Sequence, residues 1–156
     1  MQIEQLKIKK SANQYKRLEK AYSMFQNLLI ALDKKGIPTD VLGVINVDIR
    51  SLNSFLGTDK EKTKALRKTY AKVLKLIEKE LKLVTKNHYR NLWMALGMAF
   101  GVPFGTVFSS ILNNYAFIGI GIPIGMAIGI AYGTTLDKNA EKEGRQLELV
   151  CDLEVF

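Results

Sequence analysis

The fold is decided by residues 91–136, which read NLWMALGMAFGVPFGTVFSSILNNYAFIGIGIPIGMAIGIAYGTTL. These 46 residues carry no formal charge, although the chain of 156 residues has 23 Lys and Arg and 15 Asp and Glu. One membrane span needs about 20 apolar residues, so the stretch is long enough for two spans and a tight turn. Asn113 and Asn114 supply turn-forming residues between the arms 92–112 and 115–136. The sequence therefore predicts an antiparallel two-helix transmembrane hairpin over 91–136.

Glycine recurs at every fourth position in both arms of this hairpin. Residues four apart share one helix face, so each arm has a groove without side chains. Small residues let helix backbones approach closely in a bilayer, and this approach drives association there. In a soluble helix each glycine costs about 1 kcal/mol, which disfavours a buried soluble hairpin. The glycines predicted to pack helices and subunits are Gly97, Gly101, Gly105, Gly121, Gly125, Gly129 and Gly133.

The glycine pattern is symmetric about residue 113 and matches a known packing motif. Gly101 and Gly125 are equally distant from that residue, so a hairpin that turns there would place them at one depth. The segments GMAFG at 97–101 and GIPIGMAIG at 121–129 resemble the glycine zippers of self-associating membrane proteins. That broad class includes channels, pore-forming toxins and membrane-perturbing peptides. The resemblance covers residues 97–133 and implies close, oligomeric helix packing, so a homo-oligomer is expected.

Residues suited to the membrane interface flank the hairpin. Aromatic rings prefer the headgroup level, and Lys and Arg are retained on the cytoplasmic side of a membrane. We therefore expect a multi-pass protein of the cytoplasmic (inner) membrane with both termini in the cytoplasm. The residues expected at its cytoplasmic interface are Tyr89, Arg90, Trp93, Tyr132 and Lys138.

Residues 1–90 predict three helices. A capping box at 11–14 precedes the first, whose apolar residues recur at spacings of three and four from Tyr15 to Leu32. That helix is expected to end at Gly36. The second begins near Pro38, which suits a first helical turn, and Phe55 is expected on its apolar face before Gly57.

The third helix is predicted after a second capping box at 58–61, with an apolar face from Leu66 to Val84. The fold class is therefore all-α, with a basic three-helix cytosolic bundle over 1–90 followed by the hairpin. An acidic cytosolic tail covers 137–156, and its residues 147–150 alternate like a strand. Residues 2–10 fit either a frayed helix or a short strand, and pairing between the tail and this N-terminus is an open alternative.

The net charge of residues 1–90 indicates which kind of molecule they bind. Residues 1–90 contain 20 Lys and Arg against 9 Asp and Glu, which gives a net charge of +11. Such a charge next to membrane spans attracts anionic lipid headgroups. Nucleic acid would attract it as well, but the sequence has no recognition module and few aromatic residues placed for stacking. The lipid bilayer is therefore the expected partner, and nucleic acid is disfavoured.

Enzymatic chemistry is not indicated by any motif. His88 is the only histidine and Cys151 the only cysteine, so a histidine metal cluster and an intramolecular disulfide are excluded. The glycines at 119–125 lack the strand, turn and helix of a dinucleotide-binding loop. We expect no catalytic residue, metal or cofactor. The chain is expected to be a self-associating membrane protein that forms an oligomeric pore or membrane-perturbing complex. The alternative is a membrane-tethered adaptor or scaffold whose basic helices recruit a cytosolic protein partner.

Overall fold

The computed structural model describes residues 3–7 and 16–150. Within this part the chain forms five helices and two short strands, and the strands pair in one sheet. The predicted capping box at 11–14, Tyr15 and Cys151 lie outside the described residues. The elements are α1 (Lys16–Lys35), α2 (Thr39–Asn53), α3 (Asp59–Leu81), β1 (Val84–Lys86), α4 (His88–Leu112), α5 (Ala116–Lys142) and β2 (Gln146–Val150).

Among the described residues, 3–7, 16–84 and 147–150 form one compact unit and 85–146 form a second. The first has one hydrophobic core. Its fully buried side chains include Phe25 of α1, Ile45 of α2 and Ile77 of α3, and Leu147 of β2 joins the same cluster. The apolar spacing of each helix explains this, because residues three and four apart form one stripe that is buried against the other elements.

The ends of α1 and α3 follow their predicted signals. Gly36 has φ +67°, a left-handed conformation that glycine adopts without strain, and α1 ends directly before it. At the start of α3, Thr58 accepts a hydrogen bond from the Glu61 backbone N–H, and the Glu61 carboxylate accepts one from the Thr58 backbone N–H. The capping box predicted there is confirmed.

Two predicted boundaries are wrong. Helix α2 ends at Asn53, because the Phe55 N–H bonds the carbonyl of Leu52 and closes a tighter last turn. The Phe55 ring lies beyond the helix, where a Cβ added to Gly57 would come within 2.6 Å of it, and Phe55 is 42% exposed. Val84 belongs to β1 rather than to the third helix.

Lys82 explains why the third helix ends before Val84. Its left-handed conformation, φ 53°, ends α3 at Leu81 and redirects the chain. Val84 then enters an extended strand, in which it is buried.

Residues 3–7 form neither a helix nor a strand. They are held by asparagine side chains of α2: the Glu4 N–H donates to Asn46 Oδ1 over 2.9 Å, and the Lys7 N–H to Asn53 Oδ1 over 2.7 Å. Leu6 is buried in the core of the first unit. The side-chain amides thus take over the hydrogen bonds that a helix or sheet would have supplied.

The predicted strand in the tail is confirmed as β2, and its partner is β1 rather than residues 3–7. The start of the expected acidic tail is still helical, because α5 continues to Lys142. At the other end of α5, the turn predicted at Asn113 and Asn114 is present. Asn113 is left-handed with φ 47°, and Asn114 Oδ1 accepts the backbone N–H of Ala116 over 3.0 Å.

Candidate functional site: the glycine-packed α4–α5 pair

The glycines of α4 and α5 lie where the two helix backbones touch. A Cβ added at Gly101 would lie 2.9 Å from the carbonyl carbon of Gly121, and one at Gly105 would lie 2.8 Å from the Ile118 carbonyl oxygen. One at Gly133 would lie 2.6 Å from the Cα of Arg90. These neighbours are backbone atoms that no rotamer change can move. The same holds for the other glycines predicted for packing, Gly97, Gly121, Gly125 and Gly129.

The register of this contact differs from the symmetric pairing about residue 113. Gly101 is nearest to Gly121 rather than to Gly125, and Gly125 is nearest to Gly97. Gly125 lies between two glycines of α4, because a Cβ added to it would also approach the Cα of Gly101 at 3.0 Å. Equal spacing on both helices fits either arrangement, so the sequence alone did not distinguish them. The nearest pairs, Gly101 with Gly121 and Gly97 with Gly125, are centred on residue 111 rather than on residue 113.

Gly119 is the exception among the glycines of α5. A Cβ added there would meet no atom within 4 Å. The periodicity of the sequence already separates Gly119 from the others, because it lies outside the series of every fourth residue. Gly119 therefore provides a glycine in the same helix that is free of the contact.

The outer surfaces of α4 and α5 are apolar and exposed. Both helices are long and apolar enough to cross a membrane, and only a small share of their apolar residues is buried. A helix from the core of a soluble protein buries its apolar face, whereas these two expose large aromatic and aliphatic side chains. Exposed examples are Phe100, Phe104, Phe108, Ile111, Ile124 and Ile128.

The five residues predicted at the membrane interface all lie at one end of the helix pair. The rings of Trp93 and Tyr132 are in T-shaped contact between α4 and α5, with centroids 4.5 Å apart. Tyr89 and Arg90 lie one turn before Trp93, and the Lys138 side chain is exposed near the end of α5. The structure therefore groups three aromatic and two cationic residues at the end of the pair opposite the 113–114 turn.

Asp137 is the important residue that the sequence reasoning missed. Its side chain is only 6% exposed, and its carboxylate accepts the backbone N–H of Tyr89 over 3.1 Å and that of Arg90 over 2.9 Å. The first amides of a helix have no partner within the helix, and Asn87 at the start of α4 supplies no side-chain cap. Asp137 of α5 thus caps α4, and its negative charge lies at the positive end of the helix dipole.

The position of Asp137 in the sequence could have indicated that it contacts α4. It is the first charged residue after the apolar stretch, four residues after Gly133, and so it continues the glycine face of α5. Counting it as part of an acidic tail concealed this role.

A second polar contact closes the same end of the pair. The carboxylate of Glu143 and, with smaller effect, the hydroxyl of Tyr89 raise the pKa of the Arg145 guanidinium, because both accept its hydrogen bonds. Glu143 and Arg145 follow α5, and Tyr89 is in the first turn of α4. These contacts connect the segment after α5 to the beginning of α4.

Beside the glycine contact runs an open groove with a volume of about 800 Å³. We define the α4–α5 groove by its lining between Trp93 and Phe108 on α4 and between Phe117 and Tyr132 on α5. The helix-packing glycines form its floor, because they lie where the backbones touch. Larger side chains form its walls, namely Phe100, Phe104 and Phe108 on one side and Ile120, Ile124 and Ile128 on the other.

The first unit contributes a basic surface along α3. Its exposed lysines recur at spacings of three and four, which places them on one side of the helix. Lys72 is paired with Asp48 of α2 at 2.7 Å, and Lys79 lies 3.7 Å from Glu80. The exposed lysines of this stripe are Lys60, Lys64, Lys68, Lys72, Lys75 and Lys79.

In residues 3–7 and 16–150, no three His, Cys, Asp or Glu side chains lie close enough together to bind a metal ion. His88 packs edge-to-face against Tyr89, with ring centroids 5.2 Å apart. The arrangement of α4 and α5 thus offers apolar surface, close backbone packing and a polar end.

No family model, curated protein or solved structure matches this chain. The geometry of the two units therefore carries the functional argument.

Proposed function

We propose that this chain is an integral protein of the cytoplasmic (inner) membrane that crosses the bilayer twice, through α4 and α5. Residues 1–90 are then a basic three-helix bundle in the cytosol, 91–136 an antiparallel transmembrane hairpin and 137–156 a cytosolic tail. The observation that carries the proposal is the distribution of residues on the helix pair. Glycine lies at the contact between the helices, and Phe and Ile are exposed outside, as lipid requires and water disfavours.

The job we propose is that of a membrane-tethered adaptor or scaffold. The hairpin anchors the chain, and the basic helices lie at anionic headgroups and recruit a cytosolic protein partner. Support comes from the lysine stripe of α3, since each Lys or Arg near an anionic surface contributes roughly 1 kcal/mol of attraction. No enzymatic activity is part of this proposal.

The glycine contacts favour the anchor over the pore. The glycines expected to join subunits already pack α4 against α5 of the same chain. In a bilayer, apolar surface alone gives little association because lipid tails are equally apolar. With the small residues in use inside the pair, the strongest argument for glycine-driven assembly no longer applies.

The hydroxyl groups lead to the same conclusion. Residues that would line a polar lumen donate to carbonyls of their own helix: Thr106 to Pro103 over 2.7 Å, and Thr134 to Ile130 over 2.7 Å. Ser110 and Thr135 form the same kind of bond. A hydroxyl satisfied within its own helix is compatible with a lipid-facing surface.

Self-association into a homo-oligomer or pore is the second candidate. The observation that favours it is the row of exposed phenylalanines, Phe100, Phe104 and Phe108, which repeats every turn on one side of α4. Leakage of an entrapped dye from vesicles distinguishes the two functions. A pore releases the dye, whereas an anchor inserts fully and leaves the vesicles tight.

The topology is tested by cysteine labelling in intact cells, in a Cys151→Ser background. A membrane-impermeant maleimide should label Asn114→Cys, in the turn between α4 and α5, and should not label Lys7→Cys. Both positions are exposed in the structure, so access depends on the side of the membrane. Labelling of Lys7→Cys alone would reverse the orientation. Complete release of the chain by alkaline extraction would refute the membrane proposal.

A further inference from the structure

The contact between α4 and α5 repeats along both helices. A Cβ added at Gly125 would meet the Gly97 carbonyl, and one added at Gly121 would meet the Gly101 carbonyl, one helical turn away. If α5 slid by four residues towards the turn, Gly125 would take the place of Gly121, and Gly129 that of Gly125. This slide covers about 6 Å at 1.5 Å per residue, and we call its result the shifted register. Because glycine would replace glycine at each of these places, the glycines by themselves allow the shifted register.

Asp137 is the residue at which this repeat ends. It follows Gly133 by four residues, so in the shifted register it would take the place that Gly133 has now. A Cβ at that place would lie 2.6 Å from the Cα of Arg90 and 2.8 Å from the Arg90 nitrogen. Both neighbours are backbone atoms, so glycine fits at this place and aspartate does not. The side chain of Asp137 therefore opposes the slide sterically.

The carboxylate of Asp137 favours the present register as well. It accepts the backbone N–H of Tyr89 over 3.1 Å and that of Arg90 over 2.9 Å, in a residue that is almost fully buried. The slide would move this carboxylate one turn along α4, to amides that already donate to carbonyls of their own helix. The first amides of α4 would lose their acceptor, and the buried carboxylate would lose its donors. Both losses are unfavourable, because a buried polar group without a partner keeps its desolvation penalty.

We propose that Asp137 holds the α4–α5 pair in one of two registers that its glycines allow. The present register and the shifted register are two discrete packings, and a displacement by one helical turn is one form of switching in proteins. At the 113–115 connection, the slide would lengthen α4 and shorten α5 by about half a turn. The inference concerns the contact within the helix pair, so it goes beyond the proposed anchor.

Cross-linking between cysteines reports the register. The rings of Trp93 and Tyr132 are in contact across the pair, with centroids 4.5 Å apart. In the shifted register Leu136 would take the place of Tyr132, because it lies four residues further along α5. The experiment uses the full chain with Cys151→Ser, in mild detergent, and adds a short bifunctional thiol reagent. It compares two cysteine pairs: Trp93→Cys with Tyr132→Cys, the present pair, and Trp93→Cys with Leu136→Cys, the shifted pair.

With Asp137 in place, the present pair should cross-link and the shifted pair should not. Asp137→Gly removes both the carboxylate and the Cβ, and the yield of the shifted pair should then rise about tenfold at the expense of the present pair. Asp137→Ala keeps the Cβ and should therefore retain the present pair. Lys138→Gly is the matched control, because it introduces the same glycine at the exposed neighbouring position, and it should also retain the present pair.

Three results would overturn the proposal. The first is an unchanged present pair in Asp137→Gly, with helix content by circular dichroism equal to that of the parent chain. The second is a shift in Lys138→Gly as large as in Asp137→Gly, because flexibility at the end of α5 would then set the register. The third is equal cross-linking of both pairs with Asp137 in place, a result that does not depend on whether Asp137→Gly folds. None of these results bears on the proposed membrane function, which alkaline extraction tests separately.

Discussion

The sharpest prediction is that a single methyl group at Gly101 destabilises the α4–α5 pair. In the Gly101→Ala variant the new Cβ would lie 2.9 Å from the carbonyl carbon of Gly121 and 3.0 Å from the Cα of Ile122. Ordinary contacts of this kind begin at 3.4 Å, so the helices must separate by at least several tenths of an ångström. A gap of 0.5–1 Å forfeits about a quarter to a half of each dispersion contact along the pair.

The expected net effect is a loss of about 1–3 kcal/mol in the free energy of separating or unfolding the helices, the usual cost of overpacking. Alanine is the better helix former by roughly 1 kcal/mol in water, and this gain partly offsets the expected loss. The control is Gly119→Ala, the same change in α5 where a Cβ meets nothing within 4 Å. That variant should equal or exceed the wild type in stability.

The assay is denaturation in mixed micelles of a mild detergent with increasing sodium dodecyl sulfate. Trp93 fluorescence reports on the contact, because its ring lies 4.5 Å from that of Tyr132 on the other helix. Gly101→Ala combined with Gly121→Ala should cost less than the sum of the single changes, since both separate the same two backbones. Stability of Gly101→Ala equal to that of Gly119→Ala would refute the proposed role of the glycine contact.

Three further predictions follow from other contacts. Asp137→Ala should destabilise the helix pair by about 1–3 kcal/mol in the same assay, because two partly buried amides of α4 lose their acceptor, and Asp137→Asn should cost less. The Thr58 backbone N–H, followed by the Thr58 side chain, lowers the pKa of Glu61. Capping by Glu61 should therefore stabilise α3 at pH values above the unfolded pKa of Glu61, and this stabilisation should be lost as the pH falls through the lower folded pKa. The Glu61→Gln variant should lack this pH dependence when helix content is measured by circular dichroism. In thermal unfolding of the first unit, Ile45→Ala should cost about 2–5 kcal/mol, whereas Leu56→Ala, at a 98% exposed residue, should cost almost nothing.

Patterns in the sequence were sufficient to predict the helices that the described residues form. Apolar spacing identified the buried stripes of α1, α2 and α3, and a run of 46 uncharged residues identified α4 and α5. Local signals also specified several ends, such as Gly36, the capping box at Thr58 and the turn at Asn113. These features depend on residues within a few positions of each other, so they can be predicted from a single sequence.

Features that depend on contacts between distant residues required the tertiary structure. The spacing of the glycines is the same on both helices, so it predicted that they meet but not that Gly101 faces Gly121. Asp137 reads as part of a polar tail until the fold brings it to the first amides of α4, 47 and 48 residues away. The α4–α5 groove forms only when the fold places the two helices side by side, with glycine at their contact and larger side chains on both sides of it. The sequence by itself determined which faces must pack, because periodicity is local. The structure decided the register of α4 against α5 and the hydrogen-bond partners of Asp137, because both depend on many residues across the contact between the helices.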